Sequence, residues 1–358
     1  MYRTGYPLAF LDRQQLVQTL YDHLENKSNV LINKNVIATE HSSDAVRIIC
    51  DDGTSYDGHI VVGADGVSSK IREEMWRVAS QTDAALISTE MKGMKAPYET
   101  TTIKETIIIQ TPSKSAMLIL TALTTSYRAL FGISTAVINQ EPGDFDWGYH
   151  RSQSSLVYAG PHGKTYYFMF EKLDQVLPWG KVPHYTKQEA TDYAKKWTNW
   201  QIRPDITFHD VFQQSTSYGL AALEEGKFKT WSWGRIACLG DSIHKMTINI
   251  GTGGNTAIES VAAFTNELRI ALDNCNGDLP TEDQIRKCFE AYQKRREDRA
   301  GFITDIAGEV MRLQAMEGPH HRFVAGYCLP YLGDFAANSM CDGLVNAEIL
   351  VRILLGAF

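Results

Sequence analysis

A chain of 358 residues is long enough for one large domain or two interleaved ones. Hydrophobic residues make up 44% and charged residues 22%, which excludes a mainly disordered or low-complexity protein. The formal net charge of -7 argues against a general nucleic-acid binder, because phosphate contact needs a basic surface.

The six cysteines (Cys50, Cys238, Cys275, Cys288, Cys328, Cys341) are scattered and show no CxxC spacing. Neither a disulfide framework nor a zinc site is expected, and a reducing compartment is the simpler reading. His320-His321 is no better as a metal site, since adjacent residues rarely point at one ion. The opening Met1 to Pro7 lacks the apolar core of a secretory signal. The richest apolar runs, Ala116 to Leu120 and Ile349 to Leu355, are far shorter than the roughly 18 residues of a spanning helix. The expectation is a cytoplasmic protein, with loose association with an intracellular membrane left open.

In chain order, Gly5-Tyr6-Pro7 reads as a turn, and Asp12 as the cap of a helix to Glu25 with Leu16, Val17, Leu20 and Leu24 near helical spacing. Asn29 to Asn33 and Val36 to Thr39 follow as short strands. Ala45 to Cys50 and Thr54 to Tyr56 read as a hairpin around Asp51-Asp52-Gly53, where Asp-Gly suits a tight primed turn. The Ile60-Val61-Val62 run suits a parallel strand covered on both faces. From about 80 to 230 the chain is β-rich and aromatic: Thr100 to Thr111, Met117 to Leu123, Ala129 to Ser134 and Lys164 to Glu171, with Trp179, Trp197 and Trp200 clustered. This pattern predicts a second, sheet-based layer shaping a pocket. The α/β character returns at Arg235 to Asp241, followed by a glycine loop, a helix over 256–272 and further helix over 281–316. The tail to Phe358 is mixed.

Two strand ends carry the chemistry. The first is Gly240-Asp241-Ser242-Ile243-His244-Lys245-Met246-Thr247-Ile248-Asn249-Ile250-Gly251-Thr252-Gly253-Gly254. An apolar strand delivers Asp241 to its carboxyl end, where open α/β sheets bind ligands. The glycines let backbone N–H groups approach an anion, and the next helix N-terminus adds its dipole. The bland alternative is a glycine-rich turn with a capping acid. The second is Gly63-Ala64-Asp65-Gly66-Val67-Ser68-Ser69-Lys70-Ile71-Arg72, in which Asp65 would hold Arg72 and leave the backbone to meet phosphate. A capped helix start with a surface salt bridge is the alternative there. His244-Lys245 reads as a solvated loop pair rather than as charge beside a ligand. Ser68, Ser69 and Ser242 lack the GxSxG elbow of a hydrolase.

Taken together, these motifs resemble the flavin-dependent aromatic-hydroxylase-type (group A) monooxygenases. They are most similar to the fungal FAD-dependent monooxygenases that epoxidise prenyl chains in indole-diterpene and meroterpenoid pathways. Gly5-Tyr6-Pro7, Phe10 to Gln14 and Glu73 to Arg77 add to the likeness, which spans residues 5–79 and 235–263. The resemblance implies an α/β (α+β) fold: an incomplete Rossmann-like FAD-binding domain with an inserted β-sheet substrate domain and C-terminal helices. The implied division is 1–79 (FAD-binding, first part), 80–229 (substrate domain), 230–300 (FAD-binding, second part) and 301–358 (C-terminal helical region).

It further implies FAD as cofactor, NAD(P)H and O2 as co-substrates, and epoxidation or hydroxylation of an apolar terpenoid. Arg13 would reach the FAD from the first helix, and Asp65 and Arg72 would organise its pyrophosphate and the NAD(P)H side. Asp241 would bind the ribityl or pyrophosphate region, with Gly251, Gly253 and Gly254 offering backbone around the flavin. Tyr127 matches a proposed active-site tyrosine, with a half-buried strand residue as the alternative. Residues 1 to 60 contain no GxGxxG, and Ile248 and Thr252 stand where relatives carry proline and glutamine. These departures set a non-catalytic truncated family member or scaffold as the competing expectation.

Overall fold

The computed structural model describes residues 12–82, 123–137, 139–333 and 347–351. Helix α1 (Arg13–Asp22) starts at Asp12, whose N–H donates to Gln15 Oε1 at 3.2 Å in a capping box. Strands β1 (Val36–His41), β2 (Val46–Cys50) and β3 (Ser55–Gly58) form an antiparallel sheet. Next come β4 (Val61–Gly63) and α2 (Lys70–Thr82). Of the residues that α2 buries, Ile71, Arg72, Met75, Trp76 and Ala79 recur at i, i+4 and make one inward stripe, with Glu74 buried beside it. Each large apolar side chain so buried contributes roughly 1.5–3 kcal/mol.

The middle of the chain supplies β5 (Leu123–Thr135), β6 (Phe145–His150), β7 (Gln153–Gly160) and β8 (Lys164–Pro178). Then follow α3 (Lys187–Lys195), β9 (Gln201–Arg203), β10 (Ile206–Thr207), α4 (Phe208–Phe212) and β11 (Ser215–Lys227). After β12 (Ser232–Trp233), β13 (Ile236–Cys238) and β14 (His244–Lys245) come three helices, α5 (Gly253–Asp273), α6 (Glu282–Gln314) and α7 (Gly318–Phe323). The large antiparallel sheet has the order β14-β11-β5-β8-β7-β6, so β14 ties the glycine loop to the edge of the middle layer. One face of this sheet is closed by α3 and α4 over Leu130, Val157, Tyr167 and Met169. A separate core joins α2, β13, α5 and α6 around Trp76, Phe228, Ile236, Phe264 and Tyr292.

The mixed α/β architecture agrees with the sequence-based expectation, with several local differences. Asn29–Asn33 is no strand: Val30 to Ile32 are exposed and have no ladder partner among the described residues, so their apolar character alone makes no sheet. The hairpin forms, but only Gly53 takes a left-handed φ (+81°). A type I′ turn needs two such residues and a type II′ turn needs its glycine first, so the loop is of a longer, bulged kind with Asp52 Oδ1 accepting from Thr54 N at 3.0 Å. Strand β4 does pair in parallel, with β13, yet Val62 is 36% exposed, so only one face is covered. Trp197 and Trp200 meet at 5.0 Å, whereas Trp179 packs on Trp76 and Phe228 in the other core. Helix α6 runs unbroken through residue 300, where the sequence suggested a boundary. Gly5-Tyr6-Pro7, Thr100 to Thr111, the start of Met117 to Leu123 and most of the tail lie outside the described residues. No helix among the described residues is long and apolar enough to cross a membrane.

Candidate functional site

The site is built where β4 and β13 end side by side, with Gly63 opposite Cys238. Ile236, Ala237 and Cys238 are fully buried, and a glycine follows or ends each strand because a helix presses on it. A Cβ on Gly63 would meet Ile71 Cγ2 of α2 at 2.8 Å. A Cβ on Gly240, which holds φ +60°, would meet Ala257 Cβ of α5 at 2.9 Å. Ser242 Oγ shares its one proton between Gly63 O (2.8 Å) and Leu239 O (2.7 Å), stapling one turn to the other.

Beyond β13 the glycine loop borders a half-open cavity of about 240 Å³ lined by Asp241, Lys245, Met246, Thr247, Ile248, Gly251, Gly253 and Gly254. Asp241 is half-buried and Oδ2 accepts from Lys245 Nζ at 2.5 Å. Helix α5 opens on the same cavity. Its N-terminus carries no side-chain cap and no acid in the first turn, and the Thr252 hydroxyl turns instead to Met246 Sδ at 3.3 Å. The first intrahelical bond there is Thr256 N to Thr252 O, so the N–H groups of Gly253, Gly254 and Asn255 have no partner within the helix. A helix of 21 residues places about half a positive charge at that end. Around Gly254 and Gly251 a Cβ would meet nothing within 4 Å, which leaves room for a flat group against bare backbone.

Four of the residues singled out in the sequence, Asp241, Gly251, Gly253 and Gly254, thus line one cavity. Asp65 and Arg72 sit at the neighbouring strand end in other roles. Asp65 accepts from Ser69 Oγ (2.5 Å), Lys70 N (2.7 Å) and Ile71 N (3.1 Å), so it caps α2 and does not grip Arg72. That corrects the expected pair, and it also uses backbone donors that were to be left for phosphate. Arg72 is fully buried and donates to Ser242 O (2.6 Å) and Val67 O (2.8 Å). Arg13 stands exposed at the start of α1 and is not among the lining residues. Tyr127 is 1% exposed on β5, with its hydroxyl donating to Glu317 Oε2 at 2.6 Å. Burial, with Glu317 beside it, pushes its ionisation far above the usual phenol range. Among the described residues its apolar cluster meets the cavity lining at Ile248 alone.

His244 departs most from the sequence reading. It is no solvated loop residue: β14 pairs with β11 and drives the ring inside, against Trp231 at 5.5 Å, with Nε2 at 3.1 Å from Ser260 Oγ. Burial first, then Arg296, lowers its pKa to about 4, so the ring is neutral at pH 7. Sequence reasoning also missed Ser242 as the staple. The available signal was a small hydroxyl residue directly after the strand-end acid, which an Asp-Ser pair at a turn supplies.

No protein-family model matches the chain. Curated fungal relatives do. The FAD-dependent monooxygenase verC1 of Penicillium polonicum is 40% identical over 350 residues, covering 98% of this chain and 40% of the relative. The FAD-dependent monooxygenase cdmI of Talaromyces verruculosus is 35% identical over 96% of this chain and 67% of its own. For the FAD-dependent monooxygenase olcE of Penicillium canescens the figures are 33%, 97% and 70%. The chain therefore spans less than half the length of the first relative and about two thirds of the other two. Among solved structures, Klebsiella pneumoniae HpxO, crystallised with FAD and uric acid, superposes with a TM-score of 0.66. The identity is 17%, with 94% of this chain and 72% of that chain covered. A salicylate hydroxylase substrate complex gives 0.54 at 15% identity, over 92% and 74%. At such identities the likeness is one of fold.

Proposed function

The chain belongs to the fungal FAD-dependent monooxygenases, and on that premise we propose that it binds FAD at the α5 cavity and uses NAD(P)H to place one atom of O2 on a terpenoid substrate. The reaction class is epoxidation or hydroxylation, the second oxygen atom leaving as water while NAD(P)H is oxidised. The observation that carries this reading is the convergence of Asp241, the glycine loop and the uncapped N-terminus of α5 on one cavity.

The residues present fit a flavin. A cavity of about 240 Å³ is smaller than the roughly 300–1,000 Å³ that encloses a whole drug-sized ligand, so it suits one end of a dinucleotide. FAD, when bound, supplies the redox chemistry. The N–H groups of Gly253 and Gly254 would favour negative charge on a ring laid against them, by hydrogen bonding and by the helix dipole. Asp241 would accept from a sugar-chain hydroxyl, with Lys245 fixing its rotamer. Ile248 would exclude water from one side of the ring.

The substrate would lie on the sheet face that α3 and α4 leave uncovered. Register brings Phe131, Phe168, Leu156 and Trp147 into one row across β5, β8, β7 and β6. Beside it Tyr166, Tyr158 and Phe145 form a second row. Phe131 (37%), Trp147 (36%) and Phe145 (42%) are exposed, an unusual amount of aromatic surface for one side of a sheet. Towards Ile248 the same face passes under the end of α6, where Phe170 and Leu156 are buried against Met311 and Ala315, so the open part is the end formed by Phe131, Trp147 and Phe145.

Purified protein tests the reading. We expect a flavin absorption spectrum, or its appearance on adding FAD, and NAD(P)H oxidation that a prenylated aromatic accelerates. Colourless protein that takes up no FAD overturns the proposal.

A further inference from the structure

We infer that Arg72 is a positioning residue for the Asp241 side of the FAD site, acting through the Ser242 carbonyl without touching the cofactor. The inference rests on the function proposed above. Its basis is a buried cation that core packing does not explain. Arg72 is 0% exposed and lies in a box of aromatic rings, with centroids of Phe228, Trp179 and Trp76 at 4.4, 5.0 and 5.2 Å. Among the described residues no carboxylate stands within ion-pair distance of it. The other fully buried arginine, Arg296, pairs with Glu259 at 2.7 Å. A buried charge without such a partner is costly, and an apolar side chain of similar volume would fill the ring box without that cost.

What only a guanidinium does here is reach two carbonyls at once. One nitrogen donates to Val67 O in the turn after β4, and the other to Ser242 O in the turn after β13. The Ser242 hydroxyl adds the bonds to Gly63 O and Leu239 O, so residue 242 is held from both its side chain and its backbone. Asp241 is the preceding residue and lines the cavity. Holding residue 242 at its side chain and its carbonyl fixes the backbone that follows Asp241, and with it the place where the carboxylate is presented. Planar forked donors suit this task, and a lysine would reach one carbonyl alone.

The test is a double-mutant cycle on FAD binding, using wild type, Arg72→Lys, Asp241→Asn and the double variant. Binding is read at a temperature well below each protein's melting point, with apo-protein melting measured in parallel. Loss of a charged hydrogen bond to the support should weaken FAD roughly tenfold or more in Arg72→Lys, and Asp241→Asn should weaken it comparably. The double variant should bind about as well as the weaker single one, because Arg72 acts only through Asp241. A merely structural arginine would lower the melting point, leaving the affinity of folded protein unchanged, or its effect would multiply with that of Asp241→Asn. Either result overturns the inference. Should Arg72→Lys not fold, Arg72→Met, which refills the ring box, is judged by the same criteria. Wild-type protein that binds no FAD overturns the proposed function and this inference together. Wild-type binding with Arg72→Lys unaffected overturns this inference alone.

Discussion

The carboxyl ends of β4 and β13 follow one plan and reach opposite outcomes. Each is a short parallel strand that leads into a glycine under a helix and then an acid. Asp65 lies five residues before Lys70, close enough to fold back onto the amides that open α2, and it occupies them. Asp241 lies about a dozen residues before Gly253, with a turn, β14 and the glycine loop between, so it cannot cap α5 and bonds Lys245 instead. The first joint is closed and the second open. Distance along the chain between acid and helix, more than the residues themselves, decides whether a strand–acid–helix segment becomes a structural joint or an anion site.

The largest effect should come from the glycine that lets α5 sit on β13. Gly240→Ala combines a left-handed backbone with a Cβ 2.9 Å from Ala257 Cβ. The strain and overpacking together should cost about 2–4 kcal/mol, read as a lower urea midpoint. Gly63→Ala meets Ile71 at 2.8 Å but needs no left-handed backbone, so about 1–3 kcal/mol is expected. If Gly63→Ala proves the more damaging, the open joint is not the one held by backbone geometry.

The next effect is confined to the open joint and depends on pH. His244 has a folded pKa of about 4 against an ordinary value near 6.5. Between those values the unfolded chain binds a proton that the folded protein refuses, so stability is full above about pH 6.5 and falls as the pH drops towards 4. The loss should reach about 2 kcal/mol at pH 5. His41, also lowered by burial, pulls the same way, whereas Glu171, held at about 2 by Lys196 and Arg128, acts only at lower pH. Urea midpoints at pH 7 and pH 5 for wild type and His244→Gln check the point. A pH slope that survives the substitution in full would remove His244 as its source.

Much of this was legible in local sequence, and the failures share a cause. The run 235–241, the glycine loop and the helix after it are legible because apolar continuity and glycine spacing are local properties. Thr281 as the start of a long helix was equally plain, with Gln284 completing its capping box. The bond from Arg72 to Ser242 spans 170 positions and depends on β4 and β13 pairing in parallel, which no local pattern states. His244 sits in a polar segment and is buried only because β14 finds β11. Val30 to Ile32 failed in the reverse sense: a strand-like run needs a partner, and the partner is not a property of the run. For Asp65 the sequence indicates the strand end but not the partner, since a cap and a salt bridge both ask for an acid at a helix start.

The smallest effects on stability separate the two acids most cleanly. Asp65→Ala removes the acceptor for two α2 amides and for Ser69, and should cost about 1–2 kcal/mol, as helix caps do. Asp241→Ala loses a half-exposed pair with Lys245, worth about 0–1 kcal/mol, and among the described residues leaves no backbone amide without its acceptor. Ligand binding should rank them in the opposite order. FAD affinity of the folded protein should stay within about threefold of wild type in Asp65→Ala and fall roughly tenfold or more in Asp241→Ala. Paired thermal melts and FAD titrations on the two variants measure both quantities on the same samples. The crossed ranking is what a closed joint beside an open one requires. Variants that lose stability and affinity in the same order would mean that the two acids do one job.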